Sequence, residues 1–236
     1  MAPPAFLLVF SEPGPSLSET EYLEWYEGEH IPLRIPIPAF QSWTRWVAAD
    51  AAKPTYAASY DIESYEATQI APYATLSKNR SEREKDALRR IELLDRRVYE
   101  AYEGHAMPEP SALFDPTKPA PIMLLVGIEM KPEFEDELNK WYAEEHIPLL
   151  AAVPGWVRSR RFVLRDWSKT GKSVESSKEQ EKPPKYLAVH EWASRDSLET
   201  SQFKEAVNTS WRDKVMVGEV RRERRVFEFL KRWERQ

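Results

Sequence analysis

A repeat constrains this chain more than anything else in it. Residues 21–33 read Glu-Tyr-Leu-Glu-Trp-Tyr-Glu-Gly-Glu-His-Ile-Pro-Leu and residues 137–149 read Glu-Leu-Asn-Lys-Trp-Tyr-Ala-Glu-Glu-His-Ile-Pro-Leu, with eight of thirteen positions identical at an offset of 116. The same offset aligns the apolar run Phe6–Phe10 with Ile122–Val126, Pro38 with Pro154, Arg45 with Arg161, and Asp50 with Asp166. Later the register changes but the likeness continues: Tyr56 answers Tyr186, and Arg96–Glu100 answers Arg224–Glu228. Self-similarity of this kind means one supersecondary unit used twice. The expected division is a first repeat over 1–104, a Pro-rich linker over 105–121 and a second repeat over 122–236. Five residues separate Asp50 from Tyr56 and nineteen separate Asp166 from Tyr186, so the second copy carries an insertion over 168–184, rich in Ser, Lys and Glu, that reads as a surface loop.

Within each copy the pattern predicts strand, helix, strand, strand, helix, strand. Phe6–Phe10 is a buried strand by its continuous apolar run. Ser18 followed by Glu21 is a capping box, and Tyr22, Trp25, Tyr26 and Glu29 then share one helix face. Pro32 and Pro148 should force Ile31 and Ile147 out of the helical region, leaving His30 and His146 in a last turn. Second strands are expected at 41–47 and 157–164, third strands at Tyr56–Ile62 and Tyr186–Trp192, and fourth strands from about Arg97 and Arg225. A second helix should end in the stretch Glu82–Arg96, with Leu88, Ile91 and Leu94–Asp95 as its apolar stripe, and a shorter counterpart is expected around Ser197–Trp211. The fold class is α+β: two ferredoxin-like βαββαβ repeats whose bare sheet faces cover each other, an intramolecular dimeric α/β-barrel.

Several function classes drop out. The net charge of −5 disfavours nucleic acid as partner, and the basic run Arg221–Arg225 reads as the solvated edge of a strand. The absence of cysteine removes thiolate chemistry and zinc–sulfur sites. Four dispersed histidines show no ligand spacing, and with seven glycines no phosphate loop is present, so neither metal nor cofactor is expected. The five-residue apolar run near the N-terminus is too short for a signal peptide or a membrane span, which points to the cytoplasm.

The helix ending in Trp-Tyr-x-x-Glu-His-Ile-Pro, followed by Pro154-Gly155-Trp156 or Pro38-Ala39-Phe40 before the second strand, resembles the dimeric α/β-barrel superfamily and within it the EthD-like proteins. The resemblance covers both copies. It implies a hydrophobic cleft between sheet and helices, acid/base chemistry by His, Tyr or carboxylates without a metal, and further homodimerisation. The Gly-x-x-Asp-Gly signature of the related haem peroxidases is absent.

His30 and His146 match the helix-end histidine of that family. At a helix C-terminus the dipole would favour imidazolium, and Glu29 or Glu145 stands beside each. The structural alternative is a C-cap bonding loose carbonyls. His190 answers Tyr60, a proton-carrying group in both copies, on a strand face shared with Tyr186, Ala188 and Trp192. Trp25, Tyr26, Trp141, Tyr142 and Tyr186 are candidates for the pocket wall. Arg45 and Arg161 would hold an enolate or carboxylate, or else pair with Glu100 and Glu228. His105 has no counterpart. The expectation is a cofactor-independent enzyme that isomerises, cyclises or eliminates by proton transfer on a small aromatic or polyketide-like carbonyl compound. His146 with His190 would act in the second copy under the insertion as a lid, and His30 with Tyr60 in the first. A non-catalytic binding protein for an apolar metabolite is the alternative.

Overall fold

The computed structural model describes residues 2–176 and 180–235. The chain divides into two compact units, one of Met1–Glu100, Leu164–Pro183 and Leu230–Gln236, the other of Ala101–Val163 and Pro184–Phe229.

In the first unit β1 (Ala5–Glu12) lies between β3 (Tyr56–Ile62) and β4 (Leu93–Ala101), with Leu8 opposite Ser59 on one side and Arg97 on the other; β2 (Trp43–Ala48) pairs with β3. All these pairings are antiparallel. Leu7 and Val9 of β1 enter a core with Tyr22, Trp25, Ile31 and Ile91, while Phe6, Leu8 and Phe10 on the opposite face are buried as well. A strand buried on both faces is why the sequence here is apolar without alternation.

Ser18 opens α1 (Glu19–Trp25) with both halves of the capping box: its hydroxyl accepts from the Glu21 amide at 3.3 Å, and its own amide donates to the Glu21 carboxylate at 3.2 Å. The helix does not stop at His30. It widens into a π-turn over Tyr26–His30, closed by the Ile31 amide on the Tyr26 carbonyl at 2.9 Å, and runs on into a tight turn at Pro32–Arg34. Ile31 keeps helical angles (φ −70°, ψ −48°), against the expectation from Pro32. A proline in a helix removes one amide donor and crowds the carbonyl four residues back; a turn closed five residues apart accommodates both. The second unit repeats the device: α3 (Glu135–Trp141) widens over Tyr142–His146 into α4 (Ile147–Ala151), and Ile147 is helical.

α2 (Glu82–Arg90) ends earlier than its apolar spacing predicts. Ile91 is extended (ψ 141°), and Leu94 and Asp95 belong to β4, because Glu12 and Leu93 are already paired across β1.

In the second unit β5 (Ile122–Met130) lies between β7 (Tyr186–Trp192) and β8 (Glu219–Trp233), with Leu124 opposite His190 and Val226, and β6 (Trp156–Thr170) pairs with β7. Four residues, Lys172–Glu175, form α5; α6 (Ser201–Ala206) and α7 (Ser210–Val215) precede β8 (Glu219–Trp233). The basic run 221–225 is therefore a paired strand and not an edge: Arg222 opposes Ile128, and Arg224 opposes Val126. β6 and β8 are each fifteen residues long and finish in the first unit, where β6 neighbours β4 and β8 neighbours β2. There Asp166 accepts from Arg96 at 2.8 Å and Trp233 joins the core.

The first part of the insertion is regular structure. β6 runs to Thr170, Gly171 turns at φ 118°, and the Lys172 and Ser173 amides donate to the Ile91 and Glu92 carbonyls at 3.1 Å. Residues 177–179 lie outside those described. Among the described residues no helix is long and apolar enough to cross a membrane.

Candidate active site

Each unit encloses a cavity beside its π-turn histidine. In the second unit the space is about 210 Å3, walled on the sheet side by Leu124, Val126, Ile128 and His190 and on the helix side by Trp141, Tyr142, His146 and Phe203. The π-turn positions His146 here, 7% exposed, with Trp141 stacked on it at 4.3 Å and 19° and Tyr142 edge-on at 5.2 Å. Its Nδ1 lies 3.3 Å from the Ala206 carbonyl. A carbonyl only accepts, so the proton of the neutral ring sits on Nδ1 and Nε2 keeps a lone pair.

The His190 ring stands 6.0 Å from His146 at 87°. Its Nδ1 is 2.8 Å from Ser159 Oγ, which accepts the Trp156 indole N–H at 3.0 Å. The Ser159 hydroxyl can donate to Nδ1 while it accepts from the indole, and in that arrangement the His190 proton sits on Nε2. Burial pushes His146 down to about 4, opposed by the Ala206 carbonyl and assisted by the nearby Arg161, and it pushes His190 well below its ordinary value. Both rings are neutral at pH 7. The dipole argument for imidazolium fails because desolvation is the larger effect and because the helix continues past the ring.

In the first unit a cavity of about 280 Å3 borders His30. Here Nδ1 lies 2.8 Å from the Glu84 carboxylate, while Arg34 donates to the His30 carbonyl. Burial and Arg34 together outweigh Glu84, and His30 also falls to about 4. Arg96, on the same wall, donates to Asp166 at 2.8 Å and to the Tyr73 hydroxyl at 3.0 Å. Ser168 and Thr170 of the insertion line this cavity, and no insertion residue lines the one beside His146, where the lid is expected.

Of the residues singled out in the sequence, His146, His190, Trp141 and Tyr142 meet around one cavity. His30 does not meet Tyr60, which is fully buried against Phe40 at 5.6 Å and off the cavity wall. Trp25 and Tyr26 are core residues. Neither Arg45 nor Arg161 lines a histidine cavity, and neither pairs with Glu100 or Glu228. Arg45 donates to the Tyr22 hydroxyl at 3.1 Å, lies 3.5 Å from Glu27, and is faced by Tyr22, Tyr26 and Tyr56. Arg161 is caged by Tyr142 at 4.0 Å, Tyr102 at 5.1 Å and Tyr186 at 5.6 Å, while Glu100 accepts from Arg165. Glu29 accepts from Ser81 and Glu145 from the Trp141 indole, so neither serves its neighbouring histidine. His105 is exposed and bonds the Gly104 carbonyl. Sequence reasoning missed Glu84, Arg222 and Arg224. The strand register could have found the two arginines, since they share a face with Val226 opposite the cavity residues of β5.

No family model matches this chain, and no curated protein matches it. Solved structures do. An anthrone oxidase-like protein superposes with a TM-score of 0.63 at 15% identity, over 99% of this chain and 93% of that one. A chlorite dismutase variant from Candidatus Nitrospira defluvii gives 0.60 at 7% identity, over 98% and 93%. A candidate monooxygenase from Fusobacterium nucleatum subsp. nucleatum gives 0.53 at 13% identity, over 99% and 95%. The fold is that of the dimeric α/β-barrel proteins. At such identities the likeness is one of architecture, and a dimeric α/β-barrel hosts different chemistries in similar cavities.

Proposed function

We propose that the chain is a tandem duplication of one ferredoxin-like, EthD-like module, and that its second unit is a cofactor-independent enzyme moving a proton on a small aromatic or polyketide-like carbonyl compound. The carrying observation is the pair His146–His190. Two neutral imidazoles face a mostly apolar cavity at 6.0 Å, one held with a bare Nε2 by the Ala206 carbonyl. In this reading Nε2 of His146 takes a proton from the carbon beside a bound carbonyl. The enolate charge that develops raises the affinity of the ring for that proton; the neutral His190 can donate a hydrogen bond to the enolate oxygen, and the His146 imidazolium returns its proton to the far end of the enolate, which restores both rings. Isomerisation, cyclisation and elimination differ only in what the enolate then does.

His146→Gln tests it. Turnover should fall by roughly 100-fold or more while ligand affinity changes little. The acid limb of kcat/KM in the wild type should lie near pH 4, where the ring titrates. A variant with full turnover removes His146 from the chemistry. A wild type that binds but never turns over is a carrier. A second reading draws on the anthrone oxidase-like neighbour: the same carbanion meets dioxygen, a CH2 group and O2 giving C=O and H2O. Oxygen consumption coupled to substrate loss separates the two.

A further inference from the structure

The charged groups on the wall of the His146 cavity are all cations. Its lining includes Arg212, Arg222 and Arg224, and it contains no aspartate or glutamate. Arg222 is occupied by Glu219 and Arg212 by Asp213 at 2.9 Å. Arg224 has no carboxylate partner among the described residues. On β8 it opposes Val126, itself a wall residue, and it lines the exposed side of the cavity within electrostatic reach of His190. The first unit supplies an internal contrast. There the matching arginine, Arg96, is satisfied by Asp166 and Tyr73, and the histidine has a carboxylate of its own in Glu84.

Building on the proposed reaction, we infer that the second unit selects an anionic substrate: a compact, single-ring skeleton bearing a carboxylate, anchored by Arg224. Size sets the skeleton. A dry cavity of about 150 Å3 holds benzene, and about 210 Å3 leaves room for one ring with a small substituent. Charge sets the substituent. A guanidinium without a carboxylate partner can bind a planar carboxylate through two parallel hydrogen bonds. The neutral imidazoles cannot compete for that role, and a carboxylate held at Arg224 turns the ring toward His190 and His146.

Benzoate and its neutral isostere benzamide are suitable probes, titrated into the full chain by calorimetry. Benzoate should bind roughly tenfold or more tightly than benzamide. Arg224→Gln should remove that preference, Arg224→Lys should keep part of it, and Arg96→Gln should leave it intact. Equal affinity for the two probes, no saturable binding of either, or loss of the preference in Arg96→Gln instead of Arg224→Gln would overturn the assignment. Because the readout is binding selectivity, it stands apart from turnover. A His146→Gln variant that keeps the benzoate preference and a wild type that lacks activity would sink the proton-transfer reading alone.

Discussion

An imidazole that leaves water gives up the hydration of its charged form, and a single carbonyl does not restore it. That is the position of His146, and His30 is no better off despite Glu84, since Arg34 stands against protonation. Both rings titrate near 4 in the folded chain and near 6.5 when unfolded. Between those values the unfolded chain binds more protons, so stability should fall as pH drops from about 6.5 towards 4 and should be level above it. At pH 5 the loss is on the order of 2 kcal/mol for each ring. Urea unfolding midpoints at pH 7 and pH 5 would show it, and His30→Gln with His146→Gln should shrink the difference while buried His190 keeps its own share; equal midpoints in the wild type would contradict it. At this scale the sequence revealed the residues whose pattern is local: the paired Glu-His-Ile-Pro blocks exposed both histidines, and strand alternation exposed His190. It did not reveal Glu84, 54 residues from His30, or the roles of Arg222 and Arg224, which depend on β8 being paired. Charge alone made those arginines look like solvated edge residues, and register put them on a wall.

Helices and strands in this chain are set by contests between local pattern and long-range pairing. Leu88, Ile91 and Leu94 have helical spacing, yet β1 recruits Leu93 onward as a strand, so α2 stops at Arg90. Pro32 and Pro148 look like stops, yet a widened turn carries the helix past both. Tyr56–Ile62 and Tyr186–Trp192, in which local alternation and pairing agree, come out with the expected bounds. The turn after β6 has no such slack. At Gly171, φ is 118° and a Cβ would sit 2.5 Å from the Glu92 carbonyl oxygen, a backbone atom that cannot swing away. Gly171→Ala should therefore cost about 1–3 kcal/mol and loosen the wall formed by Ser168 and Thr170. Gly28 sits within a π-turn with nothing within 4 Å of its would-be Cβ, so Gly28→Ala is the control and should be close to neutral. Denaturant midpoints of the two variants make the comparison, and equal midpoints would remove the steric case.

Over the whole chain, the repeat made the fold class legible but not the composition of the units. Aligned blocks show which residues are alike, whereas a compact unit is decided by where a strand ends. β6 and β8 begin in the second unit and finish in the first. Residues 1–104 expressed alone would leave β2 and β4 without the neighbours β8 and β6, two open edges of the kind that recruit other chains. That fragment should be unfolded or self-associated by circular dichroism and size-exclusion chromatography, and a cooperative monomer would contradict this.

The fourteen additional residues of the second copy bear on heredity as well as on shape. On the proposed duplication, Ser168 and Thr170 belong by sequence to the second copy and yet line the cavity of His30 in the first unit. On that reading neither half can drift freely, because selection on the His30 chamber is recorded partly in the gene segment that also encodes His146. Related sequences compared half by half would assign those changes to the wrong chamber.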